Sequence, residues 1–202
     1  MPDLALVLLV VFGLVTLVLR AILQVMLTGS TGIKGISGSF GSLEWTAGVL
    51  FLCAIALTVA GAVLADRGTL EPIAALDGRA GHLAGAVLAI GGIAATAAAQ
   101  LAMGEAWRIG VDPEERTRLV TGGPFAIVRN PIYAGMIPCL AGIALLVPTV
   151  LTIAGALLML VALELQTRLV EEPHLRRTHG DAYAEYAARV GRFLPGAGRL
   201  RR

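Results

Sequence analysis

The 202-residue chain has little of what a water-soluble enzyme uses. Only 15% of its residues are charged and 5% aromatic, and lysine occurs once, at Lys34. With 56% hydrophobic residues and a mean hydropathy of +0.80, this composition excludes a disordered chain and fits a protein of the lipid bilayer. Cysteine is limited to Cys53 and Cys139, both inside apolar stretches, which excludes a disulfide framework and a cysteine metal site. His82, His174 and His179 lack metal-ligand spacing, so no metal is expected. There is no Walker loop, no Gly-x-Ser-x-Gly elbow and no His-Glu-x-x-His, which leaves P-loop and common hydrolase chemistry without support. No basic stripe with interleaved aromatics is present, and nucleic acid is not an expected partner.

What the chain does have is long apolar runs. Residues 4–27 are apolar apart from Thr16, Arg20 and Gln24, and residues 45–65 and 83–104 carry no charge. Each is near the roughly 20 residues that a spanning helix needs. A fourth run, residues 133–163, holds 31 residues without a charge. As one straight helix it would be about 46 Å long, against a hydrocarbon core of roughly 30 Å. Pro148 lies near its middle, where it removes a backbone donor and clashes with the preceding turn, so the run reads as two short helices in a hairpin.

These runs predict an all-α integral-membrane bundle of five transmembrane helices, with spans 4 and 5 forming the hairpin. It is read as one membrane domain over 1–202, with three spans in 1–103 and the polar chemistry in 104–202. The start, Met1-Pro2-Asp3, lacks a basic flank, and the first span is expected to be retained. Arg20 and Gln24 read as a snorkelling polar pair on that span. Gly29, Gly32, Gly35, Gly38 and Gly41 recur at every third position, in a run too short for a collagen helix, and read as a turned Gly/Ser loop. Asp112, Pro113 and Glu115 form a helix-start signature. Pro173 marks a break, followed by a C-terminal amphipathic helix with Tyr183, Tyr186 and Val190 on one stripe.

Residues 104–132 hold four arginines and residues 168–202 hold eight, together 12 of the 16 basic residues. By the positive-inside rule both stretches, and the C-terminus, are expected to be cytoplasmic, with the N-terminus outside. The loop at 28–42, also placed inside, holds only Lys34, while that at 66–82 holds Arg67 and Arg79. With abundant Ala, Gly and Arg, the chain suits a GC-rich genome, and a bacterial plasma membrane is the expected location.

Folding at Pro148 returns the two ends of the apolar run to one membrane face. Arg129, Asn130 and Tyr133 then meet Glu164, Arg168, Glu171 and Glu172, of which Glu164, Arg168 and Glu172 stand at i, i+4 and i+8 on one broad helix face. Ionisable groups at the end of a span are costly unless paired or wet, so this is either an ion-pair ladder or a ligand site. The physics reaches a polar pocket open to water beside a lipid-accessible bundle. Such a pocket suits a soluble cofactor and a lipophilic substrate.

The run Leu119-Val120-Thr121-Gly122-Gly123-Pro124-Phe125-Ala126-Ile127-Val128-Arg129-Asn130-Pro131-Ile132-Tyr133-Ala134-Gly135 resembles the signature of the isoprenylcysteine carboxyl methyltransferase and phospholipid methyltransferase family. So does the later run Glu171-Glu172, Leu175, Gly180, Tyr183, Tyr186, Val190, Arg192-Phe193, Pro195, and Trp107-Arg108-Ile109-Gly110-Val111-Asp112 resembles bacterial members. The resemblance covers roughly residues 104–195 and implies an integral-membrane enzyme that uses S-adenosylmethionine, bound without a Rossmann fold. It implies a cofactor pocket of Gly123, Pro124, Arg129, Asn130, Pro131, Tyr133, Arg168, Glu171 and Glu172, with Arg129, Tyr133 and Glu172 expected to act in methyl transfer. Many relatives have His where this chain has Asn130, and Asn cannot shuttle a proton near pH 7. An already ionised acceptor, such as a prenylated carboxylate, is therefore favoured on a lipophilic substrate. Phospholipid amine N-methylation, an NADPH-dependent membrane reductase, and a non-enzymatic transporter or scaffold are the alternatives.

Overall fold

An apolar segment with no water to satisfy its amides pairs them internally, and the α-helix does this within one stretch of chain. The computed structural model describes residues 1–33, 35–36, 38–110 and 118–200. Among these it has helices and two isolated bridges, and no strand. Helix α1 is Pro2–Thr28, α2 Leu43–Asp66, α3 Arg79–Met103, α4 Pro131–Leu146, α5 Val150–Leu165 and α6 Glu172–Arg189. Four helical runs are long and apolar enough to cross a membrane: Pro2–Thr28, Leu43–Asp66, Arg79–Ala106 and Val150–Arg189. The shorter apolar helix is α4, whose 16 residues make about 24 Å. The helix-start signature at Asp112 lies outside the described residues.

The hairpin turns where the proline demands it. Helix α4 ends at Leu146 and α5 begins at Val150, with Pro148 between them. Thr149 caps α5: its side chain accepts from the Thr152 amide, and the Thr152 hydroxyl accepts from the Thr149 amide, so two orphan donors of the first turn are satisfied. The Pro148 carbonyl accepts the Ile73 N–H at 2.8 Å, which ties the hairpin tip to the connection after α2.

Two helix pairs form the body, α3 with α4 and α2 with α5. Both rest on small residues, as expected where lipid supplies no hydrophobic drive and close van der Waals contact must hold helices together. A Cβ added at Gly92 would stand 2.6 Å from the Cys139 amide nitrogen, and one at Gly142 would stand 2.5 Å from that of Ala89. At Gly155 it would meet the Thr58 hydroxyl at 2.3 Å. Between the pairs lies a core that includes Leu8, Phe12, Leu140, Ile143, Met159 and Leu163. Outward positions such as Val7, Val10, Leu83, Val87 and Leu157 are large, apolar and exposed, a surface made for lipid.

Two sequence expectations are corrected. Pro173 does not break the chain: it stands just past a π-helical stretch, Gln166–Glu171, through which the helical run continues from α5 to Arg189. The non-helical residue is Gly180, at φ 52° and ψ −126°, a conformation that glycine adopts without a Cβ penalty. Finally, Arg20 and Gln24 do not snorkel to water. Both are buried, with 3% of each exposed, and both reach across to the turn after α3.

Candidate functional site

The polar end of the bundle is assembled by a short pairing between distant segments. Val128 bridges Gly191, the Arg129 amide donates to the Gly191 carbonyl at 2.7 Å, and the Asn130 amide donates to the Arg192 carbonyl at 3.0 Å. This places the entry to α4 against the exit from α6. Gly123, at φ 57°, and Pro124 form a 3-10 turn that carries Phe125 into the core, where its carbonyl accepts the Tyr186 hydroxyl at 2.6 Å. Pro131 fills the first turn of α4, where no amide hydrogen is needed.

Beneath that pairing Arg129 is enclosed. Its Nη1 donates to the carbonyls of Ala187 (2.9 Å) and Val190 (2.6 Å), which close the C-terminus of α6, where a cation meets the negative end of the helix dipole. Its Nη2 donates to Glu172 Oε1 at 2.6 Å and to the Gly198 carbonyl at 3.0 Å. Glu172 is held from the other side by Arg192, whose Nε and Nη2 donate to its two oxygens at 2.8 and 3.0 Å. Side-chain exposure is 1% for Arg129, 8% for Glu172 and 10% for Arg192, so the three form a buried ion network. Hydrogen bonding to Glu172 raises the Arg192 pKa, outweighing its partial burial.

Glu171, the preceding residue, has a different environment. It is half-buried, accepts a hydrogen bond from the Tyr133 hydroxyl on α4 and another from the Gln166 side chain, and feels the Arg108 charge. Consecutive residues project about 100° apart on a helix, so Glu171 meets α4 while Glu172 meets the C-terminal tail. The Asn130 side-chain amide nitrogen lies 3.5 Å from the Arg192 carbonyl.

The acidic ladder expected along one face continues as a chain of ion pairs. Arg168 pairs with Glu164 at 2.5 Å with 58% of its side chain exposed, and Glu164 also lies 3.8 Å from Arg192, which holds Glu172. No hydrogen bond joins Arg168 to Glu172, but the two line one pocket with Pro173, Arg176 and Leu200. Arg168 thus stands at the exposed end of the network, whereas Arg129 with Glu172 and Tyr133 with Glu171 are in direct contact. Arg108, Gln166 and Arg192 were not among the candidates. Two of these, Arg108 and Arg192, stand within the runs that carry the family resemblance, a signal that could have found them. Among the described residues no group of three or more His, Cys, Asp or Glu is arranged to hold a metal.

Among the described residues the chain is an apolar helical bundle with a polar, carboxylate-bearing end, an architecture suited to a membrane. Residues 80–182, just over half of the chain, match the phospholipid methyltransferase family. The chain belongs to this family of membrane methyltransferases. No curated protein matches it.

Proposed function

We propose that the protein is an S-adenosylmethionine-dependent methyltransferase whose acceptor is a lipophilic molecule reached from the bilayer. Helices α1 to α5 are read as five crossings, with the polar end and the C-terminus on the cytoplasmic side. The observation that carries the reading is the half-buried pair of Tyr133 and Glu171 beside a buried ion network, at the end of an otherwise apolar bundle.

The residues present suit this cofactor. It carries a sulfonium, an ammonium, a carboxylate and ribose hydroxyls; when bound, it supplies an electrophilic methyl group. Glu171 offers an acceptor for the ammonium or the hydroxyls, and Arg108 a cation for the carboxylate. The Tyr133 ring lies next to Glu171, where the sulfonium charge would be balanced. Arg129, Glu172 and Arg192 bond mostly to one another and to backbone carbonyls, with Arg129 Nε left unpartnered, and their part is read as fixing the segment that bears Asn130 and Tyr133.

The acceptor is read as a carboxylate on a prenyl-type lipid. A carboxylate oxygen takes the methyl as the carbon–sulfur bond breaks; the product is a neutral ester and no proton remains to be removed. With Asn130 in place of a histidine, an acceptor that needs no base fits best. Positioning and exclusion of water then do most of the work. The second reading, N-methylation of a phospholipid amine, is favoured by the family description and would require Glu171 to take the amine's proton. Labelled-methyl transfer from S-adenosylmethionine, offered separately to prenylated cysteine and to extracted membrane lipids with mass spectrometry of the product, separates the two. Transfer to neither refutes the function.

A further inference from the structure

Arg20 stands deep in apolar α1, only 3% exposed, and a buried guanidinium is costly unless something holds it. What holds it is not an anion. Its Nη2 donates to the Gly104 carbonyl at 2.5 Å, and its guanidinium carbon lies 4.6 Å from the centre of the Trp107 ring. One turn further along α1, Gln24 Nε2 donates to the Glu105 carbonyl at 2.8 Å. Both side chains therefore grip backbone of the same turn, and they fix its path.

The turn is held from the far side as well. The Gly32 carbonyl accepts the Ile109 N–H at 2.8 Å. A Cβ at Gly32, where φ is +72°, would press to 3.0 Å from the Trp107 carbonyl and 3.2 Å from its indole, so glycine is needed for this approach. Arg108 lies between the two grips, Trp107 on one side and Ile109 on the other, and its charge acts on Glu171. The family match begins at residue 80, so α1 and the glycine loop lie outside it.

We propose that Arg20 and Gln24 are positioning residues of the methyl-transfer site: they hold residues 104–109, the turn that carries Arg108, at the polar end of the bundle, so that the Arg108 guanidinium can receive the cofactor's carboxylate. This rests on the function proposed above. The N-terminal half thereby contributes to the site through backbone, without touching the reacting atoms.

The test is a double-variant cycle in purified full-length protein, read by calorimetric titration with S-adenosylmethionine. Arg20→Met and Arg108→Ala should each weaken binding about fivefold or more, and the double variant should bind no worse than Arg108→Ala alone. A merely structural arginine would give additive losses. In a Trp45→Phe background Trp107 is the one remaining indole, and its emission should respond to the cofactor in the Arg20 protein but not in Arg20→Met. Gln24→Leu, run through the same cycle, replaces Arg20→Met should that variant fail to fold. Additive losses, or unchanged affinity in Arg20→Met, overturn the inference while wild-type binding stands. Wild-type protein that binds no S-adenosylmethionine overturns the proposed function itself, and the inference with it.

Discussion

Glu171 and Glu172 are neighbours in the chain with opposite circumstances. Glu172 is 6% exposed and both its oxygens are taken by arginines, whereas Glu171 is half-buried and shares its charge with a phenol and an amide. A carboxylate that already accepts three hydrogen bonds from two guanidiniums has little left to offer a ligand. On the function proposed above, Glu172 serves the fold, through Arg129 and the closing turn of α6, and Glu171 is the acidic residue left to serve chemistry. Two identical side chains one residue apart thus divide the labour that sequence alone assigns to both.

The sharpest way to break this contrast is to remove the buried charge. Glu172→Gln leaves Arg129 and Arg192 buried without their anion, and the loss should be about 3–5 kcal/mol of stability, read as a large fall in the thermal midpoint in detergent. A Glu172→Gln protein that melts with the wild type would show that the network is not the frame. Next in size is Tyr133→Phe, which deletes the hydroxyl that bonds Glu171 and should leave the melting temperature nearly unchanged. Its expected cost is roughly 1.5 kcal/mol, about tenfold in kcat/KM for methyl transfer. Full activity in Tyr133→Phe would move the site elsewhere. Smallest of all is Arg168→Ala at the exposed pair with Glu164, where less than about 1 kcal/mol of stability should be lost and cofactor affinity should hold. A severe loss of affinity there would make Arg168 a direct partner of the cofactor.

Much of this arrangement is legible in the amino-acid sequence, and for physical reasons. The hairpin follows from a length that a bilayer cannot hold and a proline near its centre, and that turn is enough to bring Arg129 to Glu172. The five apolar segments are likewise visible as runs, although α4 is shorter than the other helices. The π-helical stretch at Gln166–Glu171 has no residue that announces it. At Pro173 the helical run continues, just past that stretch, and the change of backbone falls instead on Gly180. Arg192 and Arg20 act through partners 20 and 84 residues away, a pairing that periodicity does not encode.

The division between the two glutamates is tested most directly by titrating S-adenosylmethionine into Glu171→Gln protein and melting the same preparation. The account predicts a thermal midpoint close to wild type with affinity reduced about tenfold or more, as for loss of a charged hydrogen-bonding partner. Wild-type affinity in Glu171→Gln would contradict it.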